Sequence, residues 1–219
     1  MNVWRYEGGV MVPGDGDARI QVMDSFLVAG GAVAGLDLHA ARFADSCRRL
    51  HGRAVPDALY ASVAKLVPGQ GRWFPRIELR GDQFYLRLRP APPRRETTVL
   101  WIPPTTDPRT RPTHKGPDHE ALAQLRGRAV EHGADDALLH DGTHALEGAN
   151  SALLVRIGED LVQSDGDVLA STSVMLLEEP VRRAPLPLAT IRSYPAWTLS
   201  ALHGMIPVSG WVTTMGRHD

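Results

Sequence analysis

Between Pro103 and Pro112 the chain carries four prolines and shows no apolar periodicity. Each proline lacks a backbone N–H and fixes φ, so such a run can neither continue a helix nor sit inside a sheet. The segment therefore divides the 219 residues into two halves, a length that suits one large domain or two small ones. With 43% hydrophobic and 22% charged residues, the chain has the composition of folded protein. No apolar run approaches the ~18 residues of a membrane span. The opening MNVWRYEGG lacks the basic-then-apolar order of a signal peptide, so a cytoplasmic location is expected. A formal charge of −1 gives no electrostatic reason to expect nucleic acid or an anionic membrane as partner. The single cysteine, Cys47, excludes an internal disulfide and a cysteine-built zinc site.

The first half reads as short strands broken by turns, with two helices. Val10–Val12 and Ile20–Met23 flank the turn-rich Pro13–Asp17, and Ser25–Val28 leads into Gly30-Gly31. Leu36–His51 has helical spacing, with Leu38, Phe43 and Leu50 among charged residues and Cys47 on the apolar side. Asp57–Val67 is a second, shorter helix. Arg76–Arg89 alternates as a hairpin around Gly81-Asp82 with one polar face, and Val99–Ile102 is a strand.

In the second half a helix starts after Pro117-Asp118 and ends before Gly133. It carries Ala121, Leu122, Leu125, Ala129 and Val130 at helical spacing. Hairpins follow over Asp136–Glu147 and Ser151–Gln163, then a helix over Val168–Glu179 stopped by Pro180, and β structure over Ala196–Thr213. His140 and His144 fit an exposed hairpin turn better than a metal site, because no third ligand follows at a useful spacing; no metal is expected.

The basic residues carry the chemical signal. Of 24, only Lys65 and Lys115 are lysines. Where arginine replaces lysine at little cost on the surface, a lysine needed as an amine cannot be replaced, since a guanidinium is not a nucleophile at neutral pH. Lys65 lies among polar neighbours on a helix and reads as a surface amine. Lys115 sits between the proline-rich run and Gly116-Pro117, flanked by His114 and small Thr113. Further along come Glu147 and the hydroxyl-rich Ser171-Thr172-Ser173 and Thr198-Leu199-Ser200. An amine, a carboxylate and phosphate-binding turns are the parts a pyridoxal phosphate site needs. Composition and spacing alone favour a plain Lys–Glu ion pair.

Read as a pattern, Lys115–Leu177 resembles the class IV aminotransferases, the fold type IV pyridoxal phosphate enzymes. They include branched-chain and D-amino-acid aminotransferases and aminodeoxychorismate lyase. The residues that carry the resemblance are Lys115, the stretch GADDALLHDGTHALEGANSALL over 133–154, and the VLASTS turn. Upstream, Leu38–Phe43 resembles the family's H-x-x-R-[LF] segment; downstream, Ser200–Val208 resembles a second phosphate-side turn and a late P-V strand. The resemblance implies a two-domain α/β fold. A small N-terminal domain would span 1–104, a linker 105–112, and a larger domain of β-barrel character 113–219, with the cofactor between the domains and the enzyme a homodimer. It implies pyridoxal 5'-phosphate as cofactor on Lys115. Arg42, Glu147, Asn150, Ser171, Thr172, Ser200 and Ala201 would hold the cofactor, and His203 and His114 would face a small amino substrate. The implied activity is an aminotransferase working through a lysine Schiff base. Elimination from aminodeoxychorismate to 4-aminobenzoate and pyruvate, or a scaffold that has lost the cofactor, are the alternatives.

Three departures bear on substrate class. Many members place an asparagine five residues after the glutamate, where this chain has Ala152. Branched-chain members place a tyrosine five residues after the lysine, where it has Glu120. The usual G-x-x-[FL]-E-[TS] segment is missing, with Ser25–Gly30 in its place.

Overall fold

In a computed structural model, described for residues 2–14, 18–213 and 216–218, the chain gathers into two units. Unit 1 comprises residues 1–93 with 114–117; unit 2 comprises 94–113 with 118–219. Asp15–Asp17 of the first expected turn lie outside the described residues.

Unit 1 holds strands β1 (Asn2–Glu7), β2 (Val10–Pro13), β3 (Val22–Ser25) and β4 (Val28–Ala29), helices α1 (Leu36–His51) and α2 (Leu59–Ala64), and strands β5 (Arg72–Trp73), β6 (Arg76–Arg80) and β7 (Gln83–Leu88). Five strands form an antiparallel sheet in the order β2-β1-β7-β6-β3. α1 forms where the sequence predicts it. His39, Phe43, Ser46 and Cys47 fall on one face and are buried, and basic Arg48, Arg49 and His51 sit at the negative end of its dipole. Gly52 ends it at φ +62, donating its N–H to the Arg48 and Cys47 carbonyls; only glycine takes that conformation without penalty. Val22, Phe26, Phe43, Cys47, Leu59, Ile77, Leu79 and Leu86 make the core.

The expected polar face of the β6–β7 hairpin is in part interior. Glu78 is fully buried, because Arg76 Nε (2.5 Å) and Arg80 Nε (2.7 Å) flank its carboxylate and their side chains cover it. A charged residue is tolerated at that depth only when paired in this way.

Unit 2 holds β8 (Thr98–Trp101), α3 (His119–Glu131), β9 (Asp136–His140), β10 (Ala145–Gly148), β11 (Ala152–Ile157), β12 (Asp160–Ser164), α4 (Thr172–Met175), β13 (Val181–Ala184), β14 (Ala196–Ser200), β15 (Gly204–Thr213) and β16 (Gly216–His218). Eight strands follow one path, β10-β9-β8-β15-β14-β11-β12-β13, and β16 pairs with β15. The sheet is curled into a half-barrel, the mixed α/β architecture that the resemblance implied. β9 is buried along its whole length. Leu138 joins Leu100 and Leu153 in one cluster, while Ala137 and Leu139 join Leu125 and Ala129 of α3 in another. A strand covered on both faces reads as a continuous apolar run.

Two segments differ from expectation. Sequence reading groups Val99–Ile102 with the first half and makes 105–112 a linker. In the structure β8 pairs in parallel with β9 and β15, and the proline-rich run belongs to unit 2. The helix expected over Val168–Glu179 shrinks to the four residues of α4. The Leu169 N–H is taken by the Glu147 carboxylate (2.8 Å), and the helix starts only after Ser171, whose hydroxyl caps it.

Candidate active site

The Lys115 backbone is tied to β3. β3 is an edge strand, and Met23 N donates to the Lys115 carbonyl at 2.9 Å. The next residue makes that approach possible. Gly116 adopts φ +134, and a Cβ there would lie 2.6 Å from Val22 Cα and 2.8 Å from Met23 N. Backbone atoms cannot give way as a flexible side chain can. Gly116→Ala is therefore expected to cost about 2–4 kcal/mol, from strained φ and overpacking together, read as a lowered urea midpoint with unchanged slope. A midpoint equal to wild type would contradict this account of how Lys115 is held. The Lys115 and His114 side chains are half-buried.

The residue after Met23 serves Arg42. Asp24 has no exposed surface and accepts from Arg42 Nε (2.8 Å), Arg42 Nη2 (2.9 Å) and His39 Nδ1 (2.8 Å). His39 and Arg42, three apart on α1, share a face. Burial pushes the Asp24 carboxyl upward, but Arg42 and His39 outweigh burial and hold it below the ordinary aspartate range. A lowered carboxyl contributes stability above the ordinary aspartate pKa and loses it as pH falls through the lowered value. Unit 1 thus hangs both Lys115 and Arg42 on adjacent residues of β3.

In unit 2 the centre is Glu147, at the C-terminal part of β10 and buried. Its Oε1 accepts from Arg109 Nη1 (2.6 Å) and Leu169 N (2.8 Å). Arg109 in turn donates from Nε and Nη2 to Asp107 and from Nη1 to the Pro112 carbonyl. Burial works against its charge, but Asp107 and Glu147 outweigh burial and raise its pKa. Through Leu169 the carboxylate is tied to the turn that opens α4, where Ser171 Oγ accepts from Val174 N (3.4 Å) and Thr172 is buried.

The remaining candidates fall in three places. Asn150 lies in the exposed turn after β10, where its N–H donates to buried Asp136 and its side-chain carbonyl, suitably oriented, accepts from Arg126. Ser200, Ala201 and His203 form the turn between β14 and β15. Ser200 Oγ accepts from His203 N (3.2 Å), and the His203 ring and carbonyl accept from Arg95 N and Arg94 Nε. Of the departures, Ala152 is buried in β11 and Glu120 is exposed on α3. The turn read as holding two exposed histidines holds only one near the surface. His140 is buried, with Nε2 2.9 Å from the Pro103 carbonyl and Nδ1 accepting from Gly142 N.

Three residues at the centre of these clusters were not singled out in the sequence: Asp24, Asp107 and Arg109. His39 and Arg42 carry a local signal in their i, i+3 spacing. Asp24 carries none, and Arg109 and Asp107 lie in the stretch taken for a linker.

A family model described as amino-transferase class IV matches residues 21–211. The chain belongs to the class IV aminotransferases. Members of this family are pyridoxal phosphate-dependent aminotransferases or lyases. No curated protein matches this class IV chain. Solved structures do. A fold IV transaminase from Curtobacterium pusillum superposes with TM-score 0.78 at 18% identity, covering 96% of this chain and 90% of that one. A hypothetical aminotransferase from Mycobacterium tuberculosis, in a PLP-bound form, gives 0.76 at 14% identity over 96% and 91%. A protein described as a 4-amino-4-deoxychorismate lyase from Haemophilus somnus gives 0.70 at 17% identity over 86% and 100%. At these identities the likeness shows a shared fold. Among the described residues, no helix is long and apolar enough to cross a membrane.

Proposed function

We propose that this class IV protein is a pyridoxal phosphate-dependent aminotransferase acting on an amino acid or related amine, with Lys115 as the residue that carries the cofactor. The observation that carries the reading is the donor set. Within the matched span lie an amine whose backbone is clamped to β3, and a buried carboxylate whose partner is a buried guanidinium. The set fits the cofactor's chemistry. Lys115 supplies the amine for an aldehyde, Glu147 a carboxylate for a ring nitrogen, and Arg42 with Ser171, Thr172 and the Ser200-Ala201 turn the donors for a phosphate. Bound pyridoxal phosphate supplies the aldehyde and an electron-poor ring that spreads the charge left when a substrate Cα–H bond breaks.

The protein's part is acid–base and electrostatic. Lys115 would hold the cofactor through its amine, and its Nζ, when free, would be the group that moves a proton from the substrate Cα, as base and then as acid. Glu147 favours a proton on the ring nitrogen, since an opposite charge within about 4–6 Å stabilises the ionised partner. Arg42 binds the phosphate, and Arg42→Ala is expected to weaken cofactor binding by about 1.5–3 kcal/mol, the range of a charged hydrogen bond. Fluorescence titration of the apoprotein measures it, and an unchanged Kd would remove Arg42 from the site. The working form is a homodimer.

The function is tested by loading the protein with pyridoxal phosphate and adding a panel of amino acids and aminodeoxychorismate. A 2-oxo acid formed from an amino acid, together with bleaching of the bound cofactor's visible band, is the expected result. Pyruvate and 4-aminobenzoate from aminodeoxychorismate alone would assign lyase chemistry instead. Failure to retain the cofactor would leave a non-catalytic scaffold.

A further inference from the structure

We infer that Asp24 is a positioning residue that fixes the Arg42 guanidinium for phosphate; the inference rests on the reading of Arg42 as the phosphate arginine. Three observations lead there. First, Asp24 holds Arg42 along one edge, through Nε at 2.8 Å and Nη2 at 2.9 Å. A guanidinium is planar and its five N–H groups lie in a rigid fork. Holding one edge therefore sets the direction of the other donors. Second, Asp24 and His39 are 0% and 2% exposed at their side chains, whereas Arg42 is 13% exposed, so of these three groups Arg42 is the one that opens outward. Third, the acid comes from β3, beside the residue that binds the Lys115 carbonyl. The direction of Arg42 and the position of Lys115 thus share one strand.

Stability alone is a poor reason for this arrangement. A buried ion pair often contributes no more than well-packed apolar side chains of the same volume. Preorganisation is a better one. A free arginine side chain carries rotamer entropy, which an anion would otherwise have to overcome on binding. Asp24 removes that cost before the anion arrives. It does so while cancelling part of Arg42's charge, so the two possible effects of Asp24 on anion binding have opposite signs.

The test compares pyridoxal phosphate with pyridoxal, which has the same aldehyde and ring but no phosphate. The Kd ratio of the two for the apoprotein reads the phosphate contribution alone, and a general loss of structure would weaken both ligands together. Asp24→Asn is expected to reduce the preference for the phosphorylated ligand by about tenfold, the scale of one charge-assisted hydrogen bond. In an Arg42→Ala background the same change should have no further effect on the ratio. An unchanged or increased ratio in Asp24→Asn, or an equal loss in the Arg42→Ala background, would overturn the inference. If Arg42→Ala by itself leaves the ratio at the wild-type value, the reading of Arg42 fails separately. Should Asp24→Asn not fold, Arg42→Lys decides. Lysine keeps the charge but cannot be gripped along a planar edge, so the ratio should fall nearly as far as in Arg42→Ala, and a retained ratio would show that a point charge suffices.

Discussion

Lys115→Ala is expected to abolish covalent capture of pyridoxal phosphate and to lower turnover by at least the factor of about 10²–10⁴ that a positioned acid–base group supplies. The fold should survive the change. Lys115 is fixed through its carbonyl to Met23 N and through the tight seat of Gly116 against Val22, and neither contact involves the side chain. Lys65 is the internal control. It caps the C-terminal end of α2 and is exposed, and the Lys65→Ala variant should capture the cofactor as wild type does. Borohydride reduction followed by peptide mapping reads both variants directly. A pyridoxyl group on Lys65, or none on a cofactor-loaded wild-type chain, would remove Lys115 from the centre of the site.

The parts of this arrangement visible in the sequence are those whose signal is local. α1 follows from a 16-residue apolar stripe closed by Gly52. The α/β class came with the resemblance carried by the motifs around Lys115 and Glu147, and Lys115 stands out because lysine is rare in this chain. What escaped the sequence is set by contacts distant along the chain. Glu78 alternates like a solvent-facing residue, and the surrounding Arg76, Arg80 and Arg87 make it interior. Val168–Ala170 has helical composition, but the backbone there stays irregular, with the Leu169 amide on a carboxylate 22 residues away, and the helix starts only after Ser171. The proline-rich run was legible as irregular backbone. Its role was not, since Arg109 meets Glu147 across 38 residues of sequence. Asp24 and Arg42 are likewise 18 apart. Periodicity reports which face a residue occupies, and carries no information on which distant charge it meets there.

That long-range pair shapes the second large effect. Glu147→Gln keeps the volume and removes the charge. It breaks the 2.6 Å ion pair with Arg109 but leaves Arg109 gripped by Asp107. The stability loss should therefore be about 1–3 kcal/mol, the cost of one weakened buried charged contact, rather than the larger cost of an orphaned buried cation. The rate should fall much further. A carboxylate beside the ring nitrogen stabilises charge that develops only as Cα–H breaks, so its removal acts on the chemical step, by orders of magnitude, and hardly on substrate binding. Arg109→Met separates the two effects, because it breaks the same ion pair and retains the carboxylate. Single-turnover rates per folded molecule, measured beside melting temperatures, should place Glu147→Gln far below Arg109→Met in rate even though Arg109→Met, which leaves the Glu147 and Asp107 carboxylates without their cation, is the more destabilised. If both variants melt early and both turn over at the wild-type rate, Glu147 is a structural partner of Arg109 and takes no part in the chemistry.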